Sequence, residues 1–261
     1  MMICPVCGKE LVWNASSVCC YDGHSFDLAK EGYVNLLRSS RSGDTMGDDK
    51  LSARSRRDFL NKGYYAPLKD ALTELFKDKS GTLLDICCGE GYYTSAIAEN
   101  PNLRVYGFDL SKEMVRLAAR RGGGRYFVAN ISAIPMADCS VDWATLLFAP
   151  FHEKEIHRVL KPGARLYTVV PGQRHLFELK RTLYERPYLN DEQFPPADSL
   201  TLVSKTKVCA EICLKTPEDI EAVFHMTPYY FHTGKADREK LLGLKTLKTP
   251  IEFVIGEYVN G

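Results

Sequence analysis

Four residues near the N-terminus have the types and spacing of metal ligands. Cys4 and Cys7 form a C-x2-C pair, and Cys20 and His24 form a C-x3-H pair after twelve intervening residues. Two short loops that each supply two such ligands are typical of tetrahedral zinc sites. We therefore expect a structural zinc ion, with a hairpin between the two loops. Cys19 is an alternative to Cys20 as the third ligand. Only one of the two can face the ion, because neighbouring strand residues point to opposite faces.

A second candidate for a functional site is the segment "LLDICCGEGYYTSAIA" at residues 83–98, where an apolar strand leads through a glycine turn into a helix. A P-loop would place Lys and then Ser or Thr after the second glycine, and neither is present. The dinucleotide fingerprint needs a third glycine further on, which is also missing. S-adenosylmethionine carries no phosphate, so Glu90 in the turn would not repel it. This ligand therefore fits the turn best.

Two residues after the next strands could complete a site for an adenosyl group. Asp109 ends the second strand, about 20 residues past the turn, where a carboxylate can accept hydrogen bonds from ribose hydroxyls. Asn130 follows the third strand and could meet the adenine edge, or it could simply cap a loop. Asp109 serves an adenosyl cofactor and NAD alike, so it supports the ligand class without choosing the ligand.

The elements that must position these residues alternate between strand and helix from residue 80 onward. Apolar strands such as "TLLDI", "RVYGFDL" and "RYFVAN" are separated by helical patterns, one of them opened by Ser111 as N-cap. "HEKEIHRVLKPG" predicts a helix ended by Pro162 and Gly163. This alternation predicts an α/β fold with a parallel, doubly wound sheet, whose ligands bind at the carboxyl ends of the strands.

The chain divides by composition into three parts. Residues 1–37 hold the four ligands, residues 38–50 are rich in Ser, Gly, Asp and Arg and predict a linker, and residues 51–261 hold the alternating pattern. With 34 Lys and Arg against 33 Asp and Glu, no global field indicates nucleic acid. Local positive charge comes from residues 158–186 and from Arg38 and Arg41. No apolar stretch spans a bilayer and no signal peptide is apparent, so we expect a cytoplasmic protein.

The order of these motifs resembles a known family. "DICCGEGYYT", "GFDLSKEM", "RVLKPGARLY" and "VVPGQRHLFELK" together look like a class I S-adenosylmethionine-dependent methyltransferase. The N-terminal cysteine pattern followed by "NKGYYAPL" is similar to the bacterial 23S rRNA (guanine-N1)-methyltransferases. The resemblance implies a Rossmann-like, mostly parallel sheet with an antiparallel last strand, and a small N-terminal zinc-ribbon-like domain. The family's final antiparallel hairpin would be formed by "KVCAEICL" and "IEFVIGEYV".

The resemblance also implies roles for individual residues. Zinc would be bound by Cys4, Cys7, Cys20 and His24. His175 would close over the cofactor and Asp109 would hold its ribose. The full set of expected cofactor contacts is Tyr65, Asp85, Gly89, Glu90, Gly91, Tyr93, Thr94, Asp109, Asn130 and His175. The implied partners are a 23S rRNA hairpin and a second copy in a homodimer, with neither DNA nor a membrane.

The implied reaction is methyl transfer to N1 of a guanine, which must first lose its proton and leave any base pair. The candidates near this chemistry are Phe151, after the fourth strand, and His175, and no residue is nominated securely as the base. Cys87 stands where the family's turn has a glycine, which would cost on the order of 1 kcal/mol if that position has positive φ. Two alternatives stay open: a small-molecule methyltransferase with a structural zinc module, and a non-catalytic zinc-containing RNA-binding paralogue whose turn has decayed at Cys87.

Overall fold

The computed structural model describes residues 1–37 and 50–261, apart from the side chains of residues 50–54, 231, 232, 236 and 242. It begins with a small antiparallel sheet of three strands, β1 Leu11–Trp13, β2 Ser17–Cys20 and β3 Ser25–Asp27. The predicted hairpin is confirmed, since β1 pairs with β2 from Leu11 opposite Cys20 to Trp13 opposite Val18. The hairpin brings the end of β2 back to the first cysteine pair.

The N-terminal segment then joins the main sheet. Strand β4, Val34–Asn35, pairs in parallel with a later strand at the sheet edge. Met2, Leu11 and Val18 are buried in the same apolar cluster as residues of the central strands. The first 37 residues therefore share a core with the rest of the chain. The predicted linker at residues 38–50, which includes Arg38 and Arg41, lies outside the described residues except for Lys50, and the domain boundaries stay a prediction.

Two helices precede the alternating region. Helix α1 covers Lys50–Asn61 and α2 covers Ala66–Phe76, with Pro67 in its first turn. Pro is compatible with that position because the first N–H groups of a helix have no partner within it. Leu68, Leu72 and Phe76 recur every four residues and are buried, so α2 packs one face against the sheet.

The alternation of strands and helices is confirmed. In chain order the elements are β5 Gly81–Ile86, α3 Tyr92–Ile97, β6 Leu103–Asp109, α4 Lys112–Arg121, β7 Arg125–Val128, β8 Val141–Leu147, α5 Glu153–Val159 and β9 Leu160–Pro171. Ser111 caps α4 as predicted, since its hydroxyl accepts from the backbone N–H of Met114. The predicted end of α5 at Pro162 and Gly163 is wrong. The helix ends at Val159 because Leu160 already pairs with Val141 of β8.

The last third of the chain adds helices and a long hairpin to the sheet. Its elements are α6 Phe177–Leu183, β10 Leu200–Leu214, α7 Pro217–His225, α8 Tyr229–His232, α9 Lys235–Leu242 and β11 Leu247–Asn260. The strand order is β10-β11-β9-β8-β5-β6-β7-β4. Strand β11 runs antiparallel to both of its neighbours, as the resemblance implied, and β5 to β9 are parallel.

The sheet places the expected site residues at one edge. Ile86 at the end of β5 lies opposite Phe108 of β6 and Leu146 of β8. The glycine turn, Asp109 and the segment after β8 therefore leave neighbouring strands at the same level. None of the helices in the described part of the chain combines the length and the apolarity that a bilayer crossing requires.

Candidate active site and zinc centre

The turn after β5 has a left-handed backbone at three alternate positions. The φ angles are 57° at Cys87, 55° at Gly89 and 76° at Gly91. Gly91 has no room for a side chain, since a Cβ there would lie 2.9 Å from the Cβ of Ala118. A Cβ on Gly89 would instead meet no described atom within 4 Å. The turn therefore packs tightly on α4 at one end and leaves open space at its centre.

Cys87 has positive φ, the conformation in which a residue other than glycine is strained. A left-handed backbone costs an L-residue about 1 to 2 kcal/mol relative to glycine. Burial raises the pKa of the Cys87 thiol to about 12, and the carboxylates of Asp109 and Asp85 add to the effect. The thiol is therefore protonated at neutral pH and carries no charge into the turn.

Asp109 holds the turn through its carboxylate. One oxygen accepts from the backbone N–H of Gly89 at 3.0 Å, and the other accepts from the N–H of Ser111 at 2.8 Å. A carboxylate oxygen is an acceptor of the kind that a ribose hydroxyl needs as a partner. The arrangement fits the expected role of Asp109, which stays a prediction.

Asp85 lies beneath the turn and is almost fully buried. It accepts hydrogen bonds from the hydroxyls of Thr94 on α3 and Thr145 on β8, the latter at 2.7 Å. Burial raises the pKa of Asp85 to about 6, although both threonine hydroxyls oppose the rise. Both carboxyl oxygens are thus engaged within the protein. Asp85 and Thr94 tie β5, α3 and β8 together, and the cofactor contacts expected of both stay predictions.

An aromatic wall formed by Tyr65, His175 and Phe253 lies beside the same edge. The Tyr65 and His175 rings lie 5.0 and 4.6 Å from that of Phe253, measured between centroids. The backbone N–H of Glu252 donates to Nδ1 of His175 at 3.3 Å, so the ring proton is assigned to Nε2, which lies 3.2 Å from the Tyr65 hydroxyl. Burial lowers the pKa of His175 to about 4, so the ring is neutral at pH 7.

Tyr93 connects this wall to the glycine turn. It is the second residue of α3, and its pKa is raised well above the ordinary value, first by burial and then by the neighbouring Tyr65 hydroxyl. The Tyr93 hydroxyl is buried and has no hydrogen-bond partner within the described residues. Buried hydroxyls nearly always have partners, so this atom marks a place where a polar ligand group fits.

Glu90 and Asn130 are placed differently from the other expected contacts. Glu90 is buried and accepts a hydrogen bond of 2.8 Å from Arg121 of α4, a residue that sequence reasoning missed because nothing in its spacing set it apart. Burial raises the pKa of Glu90, and Arg121 opposes the rise. Asn130 is exposed, and its side-chain oxygen caps a turn by accepting from Ser132. The cofactor contacts of both residues stay predictions.

The segment after β8 carries two phenylalanines. Phe151, the sequence candidate, is half-buried with its ring 6.2 Å from that of Tyr258. Phe148 was missed by sequence reasoning, yet its side chain is 48% exposed and its ring lies 5.7 Å from Phe253 of the aromatic wall. No sequence signal separates it from an ordinary last residue of an apolar strand.

The zinc centre is the place where the structure brings the four predicted ligands together. The ligand atoms of Cys4, Cys7, Cys20 and His24 all lie within 4.8 Å of one another. The sulfurs of Cys7 and Cys20 are 3.6 Å apart, and Nδ1 of His24 is 3.3 Å from the Cys20 sulfur. These separations match the edges of a tetrahedron with Zn–S bonds of about 2.3 Å. Cys19 points away toward the hydroxyls of Ser17 and Ser25, so Cys20 and not Cys19 belongs to the cluster.

Known protein families match both the zinc centre and the region around the glycine turn. The family model "RlmA, N-terminal", a zinc ribbon, matches residues 2–40, and a methyltransferase domain model matches residues 83–164. A putative 23S rRNA (guanine-N(1)-)-methyltransferase, YxjB of Bacillus subtilis (strain 168), is 34% identical over 70% of this chain and 69% of its own length. The chain belongs to the 23S rRNA (guanine-N1)-methyltransferase family. Another member, the 23S rRNA (guanine(748)-N(1))-methyltransferase of Streptomyces fradiae, is 34% identical over 67% of this chain, and the match spans 65% of that protein.

The solved structures agree on the fold of this guanine-N1 methyltransferase family member. A chain from the complex between the Haloferax volcanii Trm112 methyltransferase activator and the putative methyltransferase superposes with a TM-score of 0.51 at 17% identity, covering 82% of this chain and 99% of the other. The protein therefore has the class I methyltransferase fold. Its cofactors are S-adenosylmethionine and structural zinc. The turn, the space at Gly89 and the Tyr93 hydroxyl, which has no partner among the described residues, fit the former, and the thiol and imidazole donors fit the latter.

Proposed function

We propose that this protein methylates N1 of a guanine in 23S rRNA. The observation that carries the proposal is that this chain combines an RlmA-type zinc ribbon with a methyltransferase domain. Relatives that are named for this reaction align with about two thirds of the chain. Relatives named demethylmenaquinone methyltransferase are also similar, but the one from Geobacillus stearothermophilus aligns over only 44% of this chain. The wider match favours rRNA over a small-molecule substrate.

The residues at the strand ends would hold S-adenosylmethionine by its polar groups. The backbone around Gly89 leaves space for the ligand, the carboxylate of Asp109 would accept from the ribose hydroxyls, and the Tyr93 hydroxyl would pair with a polar group of its methionine end. When bound, this cofactor supplies a methyl group already activated by its sulfonium. The protein's main contributions are then orientation and the exclusion of water.

His175 is better suited to positioning than to proton removal. Its Nδ1 is occupied by the N–H of Glu252, its Nε2 faces the Tyr65 hydroxyl, and the side chain is buried. A base must reach the proton that it removes, to within about 3 Å or through one water. We infer that His175 fixes the Tyr65 hydroxyl in the cofactor pocket, and that the guanine N1 proton leaves by another route.

Charged side chains of residues 158–186 do not form one continuous basic face. Arg158, Lys161 and Arg165 pair with carboxylates at 2.6 to 2.7 Å, and Lys180 is fully buried against Tyr188 and Tyr229. The charge available to RNA from this stretch is therefore smaller than its seven cationic residues suggested.

The tip of the zinc centre offers a different contact for RNA. Tyr21, between two ligands, is 94% exposed, and the Lys9 ammonium lies 5.6 Å from its ring centroid. The Lys9 ammonium also pairs with the Asp22 carboxylate, so the contact offered to RNA is the exposed aromatic ring, which suits stacking with an unpaired base. We propose that this tip contacts the rRNA hairpin. Grip of the hairpin by a homodimer is a further part of the proposal, supported by the family resemblance.

The test is transfer of labelled methyl groups from S-adenosylmethionine to an unmodified 23S rRNA transcript. We expect about one methyl group per RNA molecule with the native protein, and none with Asp109→Ala, which removes the proposed ribose contact. Tyr21→Ala should raise the KM for RNA and leave cofactor affinity unchanged, because the residue lies in the zinc module. Transfer to a quinone but not to RNA would contradict the proposal.

A further inference from the structure

Backbone strain is concentrated at one edge of the sheet. Among the described residues, four other than glycine have positive φ: Cys87, Cys139, Phe148 and Leu176. Three of them surround the candidate active site, because Cys87 lies in the glycine turn, Phe148 follows β8, and Leu176 is next to His175. Strained residues persist where the surrounding structure holds them, and they cluster at functional sites. Phe148 is the one whose ring is exposed.

The placement of Phe148 is unfavourable for a residue with only a structural role. A bulky side chain at a φ of 55° is a conformational outlier, and nearly half of the ring faces solvent, so burial compensates only in part. Its backbone is fixed by the sheet, since its N–H donates to the carbonyl of Val169 on β9. The fold thus holds an apolar ring outward at the end of β8.

The Phe148 ring lies beside the aromatic wall, at the strand level where the cofactor turn begins. Leu146, two residues earlier, is opposite Ile86, so Phe148 leaves β8 at the level at which the turn leaves β5. Its ring centroid is 5.7 Å from Phe253, which itself contacts Tyr65 and His175. Phe148 therefore extends the wall into solvent next to the site proposed for the methyl donor.

We propose that Phe148 is the platform on which the target guanine stacks during methyl transfer. The inference rests on the proposed function and adds a substrate-binding residue to it. N1 is on the Watson–Crick edge, so the guanine must be unpaired, and its exposed faces then need an aromatic or apolar partner. An outward phenylalanine beside the methyl donor supplies one. Phe151 is less suited, because its ring is half-buried against Tyr258.

The test compares Phe148→Leu, which removes the aromatic face, with Phe148→Tyr, which keeps it, and with Phe151→Leu as the matched control. Loss of base stacking should lower methyl transfer to 23S rRNA by Phe148→Leu roughly 10- to 100-fold. Phosphate contacts dominate RNA affinity, so the loss should appear in kcat, with the KM for RNA changed less than about threefold. Phe148→Tyr and Phe151→Leu should stay within about threefold of the native rate, by the same stacking argument.

Calorimetric titration with S-adenosylmethionine separates this role from a structural one. The proposal predicts unchanged cofactor affinity for Phe148→Leu. It is overturned if Phe148→Leu retains the native rate, if Phe148→Tyr is as impaired as Phe148→Leu, or if cofactor binding is lost together with methylation. If the native protein methylates no RNA at all, the proposed function fails, and this inference fails with it. If only the stacking role is wrong, the native protein still methylates 23S rRNA, and Phe148→Leu does so at the native rate.

Discussion

Replacing Asp85 and His175 one at a time should change the pH dependence of folding stability in opposite directions. Both side chains are buried, and burial moves their pKa values away from the ordinary ones in opposite senses, to about 6 for Asp85 from 3.8 and to about 4 for His175 from 6.5. Each displacement exceeds two pH units, which corresponds to about 3 kcal/mol of unfolding free energy.

The two contributions have opposite signs. Asp85 has a raised folded pKa, so its contribution is full below pH 3.8 and is lost as the pH rises through about 6. His175 has a lowered folded pKa, so its contribution is full above pH 6.5 and is lost as the pH falls through about 4. Between these limits the unfolded chain binds more protons at His175 and fewer at Asp85 than the folded protein does. In the native protein the two therefore largely cancel.

The assay is urea denaturation of the zinc-loaded, cofactor-free protein at several values between pH 4 and 6.5. Relative to the native protein, the unfolding free energy of Asp85→Asn should rise with pH by about 3 kcal/mol over this range, and that of His175→Gln should fall by a similar amount. The double variant serves as the control, with a slope close to the native one. Equal slopes for all four proteins, or the same change of slope in both single variants, would refute the burial argument.

Three further predictions concern the turn, the metal and the aromatic wall. Cys87→Gly should raise the unfolding free energy by no more than about 1 kcal/mol, because the entropy that glycine loses on folding offsets the relief of strain. In calorimetric titrations its Kd for S-adenosylmethionine should lie within about fivefold of the native value. If only the glycine variant bound the cofactor, the native turn would have decayed. Cys20→Ala should abolish zinc in elemental analysis and cost on the order of 4 kcal/mol of stability, whereas Cys19→Ala should keep the metal; zinc retained by Cys20→Ala would contradict the ligand set. Tyr65→Phe should lower the unfolding free energy by about 1 to 3 kcal/mol in denaturant titrations, because it leaves the Nε2–H of His175 buried without an acceptor, and an unchanged stability would argue against that hydrogen bond.

The parts of the fold that follow local patterns could be predicted from the sequence. The zinc ligands were predictable because two short ligand pairs flank a hairpin, and the sheet because apolar strands alternate with amphipathic helices. The end of α5 was not, because the pairing of Leu160 with Val141 overrides the helical stripe and depends on a partner 19 residues away. The pairing of β4 with β7 in the main sheet is likewise long-range, and no local sequence pattern predicts it.

The candidate site divides in the same way. Cys87 could be identified as a departure from glycine, but only the structure gives its positive φ. The pairing of Glu90 with Arg121 and the outward ring of Phe148 depend on which elements meet in space, so residue type and spacing could not single them out. The sequence therefore identified the residues of the turn, and the structure divides them between those that face the open space and those that hold the turn in place.

The most direct test of the central claim is mass spectrometry of the nucleosides from unmodified 23S rRNA incubated with the zinc-loaded protein and methyl-deuterated S-adenosylmethionine. The account predicts deuterated 1-methylguanosine as the product, at about one residue per RNA molecule, and its absence when Asp109→Ala replaces the native protein. Deuterium in a different methylated nucleoside, or no deuterated nucleoside although the native protein binds the cofactor, would contradict it.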